Sequence, residues 1–137
     1  MPPTKRIPAG SPCPCGSKLN LATCCLPYIE GKLQAPTAEA LMRSRYTAHA
    51  LVATDYLWNT WSPATRIRST KTEIEDWANS CEWLGLQIVS TQAGQVQDYD
   101  GVVSFIAIYR QNNQLKQHKE ISIFEKVGSQ WFYRDHQ

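Results

Sequence analysis

From Gly85 to the end of the chain, apolar residues alternate with polar ones or run in short blocks between turn residues. That pattern predicts strands over residues 85–93, 101–111, 117–127 and 130–135. Between Val102 and Tyr109 both alternations are β-branched or aromatic, which predicts a central strand covered on both faces. Asn112-Asn113 and Val127-Gly128-Ser129 are turn signals, so these strands are expected to pair as antiparallel neighbours. Before Gly85 the apolar spacing is that of helices. Thr37 is a candidate N-cap with Glu39 in the first turn, and the helix it opens is predicted to reach about Trp58. Ala38, Leu41, Met42, Arg45, His49 and Val52 fall near one stripe of it, and Asp55 either breaks the helix or caps a second short one. Ser62-Pro63-Ala64-Thr65 reads as a break. Thr70 and Glu73 have capping-box spacing, with Glu73 expected to reach back to the Thr70 N–H. The helix after them places Ile74, Trp77, Ala78 and Cys81 on one face, which makes Cys81 a buried small hydrophobe. Helices first and a meander afterwards define an α+β class: helices packed on one face of a curved antiparallel sheet of about four strands, in a cone-like domain.

Ahead of this domain, Cys13, Cys15, Cys24 and Cys25 form a C-x-C pair, an eight-residue gap and a C-C pair. Two short clusters joined by a loop are what a tetrahedral metal site needs, and an all-sulfur site suits zinc. Gly16 lets the chain turn tightly, so that the N–H groups of Gly16 and Ser17 can donate to the sulfurs, with Lys18 near enough to offset their charge. The alternatives are unliganded thiols or disulfides; of these, a bridge within either pair is strained. The proline-rich residues 1–12 read as a mobile arm, and residues 27–36 as a connector with a turn at Gly31.

The run C-P-C-G-S, six residues and C-C resembles the SEC-C motif, known as the zinc tail of the SecA translocation motor. SecA-type tails end in Cys-His and carry a Lys-rich loop with an aromatic. Here the last pair is Cys24-Cys25, and the loop reads Lys18-Leu19-Asn20-Leu21-Ala22-Thr23. Further segments resemble the YchJ-like bacterial family: Pro36 to Tyr46, Asp55-Tyr56-Leu57, Trp61, Pro63 to Arg66, Trp83 to Leu86, and Trp131-Phe132-Tyr133. That resemblance runs from Cys13 to about Asp135. It implies an N-terminal SEC-C knuckle over residues 13–30 and a nuclear transport factor 2-like domain over residues 36–137. The resemblance to the SecA tail implies partners among protein-export chaperones or ribosome-associated factors.

Composition narrows the classes. A hydrophobic content of 42 % with five tryptophans and six tyrosines is enough for a packed core. The 14 basic residues are nearly balanced by 12 acidic ones, so the overall field does not call for nucleic acid. No apolar run approaches the roughly 18 residues of a membrane span. The opening residues lack the apolar stretch of a secretory signal, and clustered cysteines suit a reducing compartment, so the cytoplasm is expected.

Two functional classes follow. In the first, the protein is a non-enzymatic accessory or adaptor that docks on a protein partner, with Leu19, Leu21, Leu26 and Tyr28 giving apolar contacts around the metal. In the second, it is a pocket protein or enzyme acting on a small molecule at the mouth of the cone. Candidate groups there are Arg45, Tyr46 and His49 from the first helix, Arg110, His118 and Glu120 from the strands, and Tyr133 near the end. His118 and Glu120 share one face of a strand, either as an acid–base pair or as an exposed charge pair.

Overall fold

The computed structural model describes residues 5–137. A 3-10 turn at Leu21–Thr23 and a one-turn helix α1 (Leu26–Ile29) follow the cysteine loop, and α2 (Ala38–Leu51), α3 (Thr54–Asn59), α4 (Pro63–Arg66) and α5 (Lys71–Ser80) precede the sheet. The strands are β1 (Glu82–Ala93), β2 (Asp100–Gln111), β3 (Gln114–Val127) and β4 (Gln130–His136), all antiparallel in the order β1-β2-β3-β4. This is the expected α+β arrangement of helices on a curved four-stranded sheet.

Local chemistry explains the starts and stops. Thr37 and Thr70 each accept from the backbone N–H three residues on, capping α2 and α5. The Glu73 carboxylate, expected to close a capping box, accepts instead from the Ser69 hydroxyl. The first helix ends at Leu51, seven residues short of the expected Trp58. The reason is Val52, which sits in the left-handed region (φ 55°) with its N–H turned back to Ala48 and His49. A β-branched residue there is strained, and its burial holds it in place: Val52 and Ala53 are both buried as the chain reverses into α3. The expected break at Ser62–Thr65 contains the single turn α4. It is fastened to the sheet edge by Ser62 N–H to Tyr133 O (2.7 Å) and Thr65 Oγ1 to Arg134 O (2.6 Å).

The sheet presents one face to the helices. On β2, Val103, Phe105, Ala107 and Tyr109 are buried, whereas Val102, Ser104, Ile106 and Ile108 on the other face are only half-buried. The central strand is therefore covered on one face and not on both. Register shifts at Trp83/Gly85, Ile88/Ser90 and Ile123/Phe124 bend the sheet around α2. Asn112 and Asn113 both have positive φ, the two-residue turn that matches strand twist. The main core joins Leu41, Met42 and Tyr46 of α2 to Val103, Phe105, Phe124 and Trp131 of the sheet, and a smaller one joins Ala48, Ala53, Leu57 and Ile74.

The start of α2 meets the β1–β2 turn at van der Waals limits. The Ala38 N–H donates to Gly94 O at 2.9 Å, and a Cβ placed on Gly101 would lie 2.6 Å from Gly94 Cα and 3.0 Å from Ala38 Cβ. No side chain fits there without moving backbone. Gly101→Ala is expected to destabilise the fold by about 3 kcal/mol, read as a shift in the urea midpoint; an unchanged midpoint would show that this turn yields freely.

Residues 5–12, where a mobile arm is expected, are held by hydrogen bonds: Lys5 N–H to Leu51 O, Leu21 N–H to Ser11 O and Ala22 N–H to Ala9 O. The rest of the expected arm, residues 1–4, lies outside the described residues.

Candidate functional site

Two places gather chemistry. The first is the cysteine loop. Pro12 pairs with Asn20 in a short antiparallel bridge, Cys13 N–H donates to Leu19 O at 2.8 Å, and positive φ at Gly16 and Lys18 reverses the chain between them. Cys25 then caps α1. The result brings the Sγ atoms of Cys13, Cys15, Cys24 and Cys25 within 4.8 Å of one another, an arrangement that can hold a metal ion. Cys15 to Cys24 is 3.6 Å and Cys24 to Cys25 is 3.8 Å, far beyond a disulfide bond. All five cysteines are free thiols, and Cys81, as expected, is a buried small side chain.

The polar surroundings come partly from the motif, whose Ser17 N–H donates to the Cys15 sulfur as expected, and partly from residues outside it. Gly16 N–H, expected to face a sulfur, donates to Cys13 O. Ser17 Oγ lies 3.0 Å from Cys24 Sγ, and the buried Thr47 of α2 places its hydroxyl 3.5 Å from Cys13 Sγ. Arg43 of α2 donates through Nη1 to Cys15 O at 2.8 Å and through Nε to Glu39 at 3.0 Å. Hydrogen bonds from Cys13 and Cys25 hold the Cys15 thiol far below its usual range. The bonds to Cys13 and Cys15 push Cys25 far up, and burial pushes Cys24 up to about 11. Four thiols this close cannot all ionise by themselves; a cation among them is what lets them do so.

The loop is packed into the main core and does not stand apart from it. Cys13, Cys15, Leu21 and Cys25 belong to the same buried cluster as Leu41, Tyr46 and Phe105, and a Cβ on Gly16 would come 3.3 Å from Leu86 O on β1. Of the four apolar residues expected to surround the metal as contacts for a partner, Leu21 is buried and Leu26 and Tyr28 are half-buried. Leu19 alone among them is exposed, at 54 %.

The second place is a cavity of about 330 Å³ between α2, α5 and the concave face of the sheet. Six of the seven residues expected at the mouth of the cone line it: Arg45, Tyr46, His49, His118, Glu120 and Tyr133. Arg110 does not. It lies at the far end of β2, 3.0 Å from Glu82. His136, too near the end of the chain to weigh from sequence, lines the cavity and bonds Tyr133 Oη at 3.2 Å.

Arg45 is 7 % exposed, and its Nη1 donates to Leu57 O at 2.8 Å and Thr60 Oγ1 at 2.7 Å. Burial lowers its guanidinium to about 10. On β3, Glu120 accepts from His118 Nε2 (3.0 Å), from the Ser122 hydroxyl and from Tyr133 Oη (3.4 Å). Its burial favours the neutral acid, but the bonds from His118 and Ser122 outweigh that and hold it below the usual carboxylate range. The same bond raises His118. Ser122 carries the one signal sequence could have offered, a hydroxyl two residues beyond Glu120 on the same strand face.

His49 is the opposite case. Its Nδ1 bonds Arg45 O at 2.8 Å, and burial first, then the Arg45 charge, lowers the imidazole to about 4. The folded chain therefore refuses a proton that the unfolded chain accepts below about 6.5. Stability from this group is complete above that value and is lost as the pH falls through 6.5 towards 4. Between pH 7 and pH 5 the unfolding free energy, read from urea denaturation, is expected to fall by roughly 1–2 kcal/mol more in the natural protein than in His49→Gln. Parallel curves would mean that the ring is protonated in place.

Comparison with known proteins places these features. A model of the family described as "YchJ, middle NTF2-like domain" matches residues 37–136. A UPF0225 protein of Bordetella pertussis is 43 % identical over 130 residues, covering 93 % of this chain and 92 % of its own. One from Geobacter sulfurreducens is 39 % identical over 123 residues, covering 90 % and 76 %. A SEC-C motif containing protein from Rhodopseudomonas palustris, solved in solution, superposes with a TM-score of 0.85 at 30 % identity, covering 93 % of this chain and 98 % of that one. A crystal structure of another from Psychrobacter arcticus gives 0.80 at 31 % identity, covering 93 % and 82 %. With the cysteine cluster at its start and an NTF2-like domain from Thr37 to His136, this chain belongs to the YchJ-like family.

Proposed function

We propose that the protein is a small-molecule-binding domain fastened by a structural zinc site. Cys13, Cys15, Cys24 and Cys25 are the ligands, and zinc is the fitting ion. A tetrahedral site with Zn–S bonds of about 2.3 Å spaces its sulfurs by about 3.8 Å, against 3.6 Å and 3.8 Å for the two close pairs here. Four thiolates on one zinc leave two negative charges, and Thr47, Ser17 and Arg43 are placed to offset them. When bound, the ion supplies folding energy and no reaction step, since four protein ligands leave it no open position. Thiolate ligation of this kind suits a reducing cytoplasm.

The observation that carries the reading is the division of labour between the two places. The sulfur cluster is turned inward against α2, while the open space and the ionisable groups lie in the cavity. Binding therefore belongs to the cavity, with Arg45, His49, His118, Glu120 and Tyr133 as its polar contacts. Screening the zinc-loaded chain against small soluble fragments by amide NMR tests this. Shifts clustering on Phe105, Ala107 and His118 are expected; shifts confined to the outer sheet face would refute it. A second reading, an adaptor docking on export chaperones or ribosome-associated factors through the knuckle, draws support from the exposed Leu19. Under that reading Leu19→Ser abolishes capture of such a factor, and under the first it has no effect on cavity binding.

A further inference from the structure

The charges of the cavity are not evenly satisfied. Each carboxylate in its lining already has donors: Glu120 has three, and Asp135 has Arg68 (3.4 Å) and the His136 N–H (2.9 Å). Arg45 is different. It is the most deeply buried cation of the lining, its Nη1 donates to a carbonyl and a hydroxyl, and its guanidinium carbon sits 4.9 Å above the Tyr133 ring. Among the described residues no carboxylate lies within ion-pair distance of it. Glu120 acts on this charge only from beyond contact distance. A buried charge with no carboxylate in direct contact is costly to the fold, and an anion arriving beside it recovers part of that cost.

The walls add a second constraint. Trp61, Trp77, Trp83 and Phe105 line the space together with Tyr46 and Tyr133, and the volume of about 330 Å³ is at the small end of ligand sites. Flat apolar rings around a small space favour a flat ring as guest. Glu120 and Asp135 set the charge, because a second negative group on the ligand would meet them. We propose that the cavity takes a small aromatic monocarboxylate, with its carboxylate at the Arg45 guanidinium and its ring among these aromatic walls. The proposal rests on the reading of the cavity as a small-molecule site and adds the chemical class.

The test uses the ¹⁵N-labelled, zinc-loaded full chain titrated with benzoate, 1-naphthoate and indole-3-carboxylate, each beside its own primary carboxamide, and with hexanoate. A charge-assisted pair at Arg45 predicts at least one aromatic acid bound about 10-fold or more tighter than its carboxamide and than hexanoate, with shifts at Phe105 and Ala107. Arg45→Gln is expected to bring acid and carboxamide within about two-fold, and Arg45→Lys to keep most of the preference. Should Arg45→Gln fail to fold, the acid-to-amide ratio in the natural protein decides alone. Carboxamides binding as tightly as acids overturn the assigned class and leave the cavity reading standing. Hexanoate matching the aromatic acids overturns the aromatic part. No probe shifting any cavity residue overturns both.

Discussion

If the cysteine cluster holds zinc as proposed, complete removal of the ion, verified by elemental analysis, is expected to lower the melting temperature by about 10 °C or more. The cysteine loop has no core of its own. Between Ser11 and Leu26 its fully buried side chains are Leu21 and the sulfurs of Cys13, Cys15 and Cys25. Structural zinc sites supply on the order of 10–16 kcal/mol to the folding of isolated fingers. Here the sheet and α2 have a separate core, so the loss is limited to the contacts the loop makes with them, about 3–5 kcal/mol. For a domain of this size that corresponds to roughly 3 °C per kcal/mol. Freed thiols explain the direction: with the ion gone, burial and the neighbouring sulfurs favour the protonated forms of Cys24 and Cys25, and the sulfurs of Cys13, Cys15 and Cys25 stay buried without the cation that draws them together. A melting temperature unchanged after full removal would mean that the ion is carried and is not part of the fold.

Trp131→Ala is expected to cost about 4 kcal/mol, seen as a large loss in the urea midpoint with the slope retained. Trp131 is 2 % exposed, belongs to the core that joins α2 to the sheet, and donates through Nε1 to Pro36 O at 3.2 Å just before Thr37 caps α2. Truncation therefore removes packing and the tether on the helix start together. Trp131→Phe restores most of the packing and none of the hydrogen bond, so its loss is expected near 1–2 kcal/mol. Equal losses in the two variants would show that the hydrogen bond, and not the volume, matters there.

These two effects fall in the parts of the molecule most readable from sequence. Thr37 and Thr70 announce their helices because capping depends on four consecutive residues, and the cysteine spacing announces a cluster because two short pairs have few ways to converge. Features set by tertiary closure were harder to see. β1 begins at Glu82, three residues before the expected Gly85, since Glu82 and Trp83 pair with Arg110 and Tyr109 across the sheet. That pairing also takes Arg110 away from the cavity. Arg45 sits on an apolar stripe where a snorkelling or edge position is the common outcome; only the return of α3 above it, bringing Leu57 O and Thr60, shows why it is buried. Thr47 and Arg43 meet the cysteine loop because that loop folds back on α2, a contact that no local pattern encodes.

X-ray absorption at the zinc edge, on protein expressed without added metal and kept under reducing conditions, tests the central claim most directly. The account predicts one zinc per chain with four sulfur neighbours at about 2.3 Å, and no signal of this kind from the Cys24→Ser, Cys25→Ser double variant. Protein that carries no stoichiometric zinc, or zinc bound mainly by nitrogen and oxygen, would contradict it.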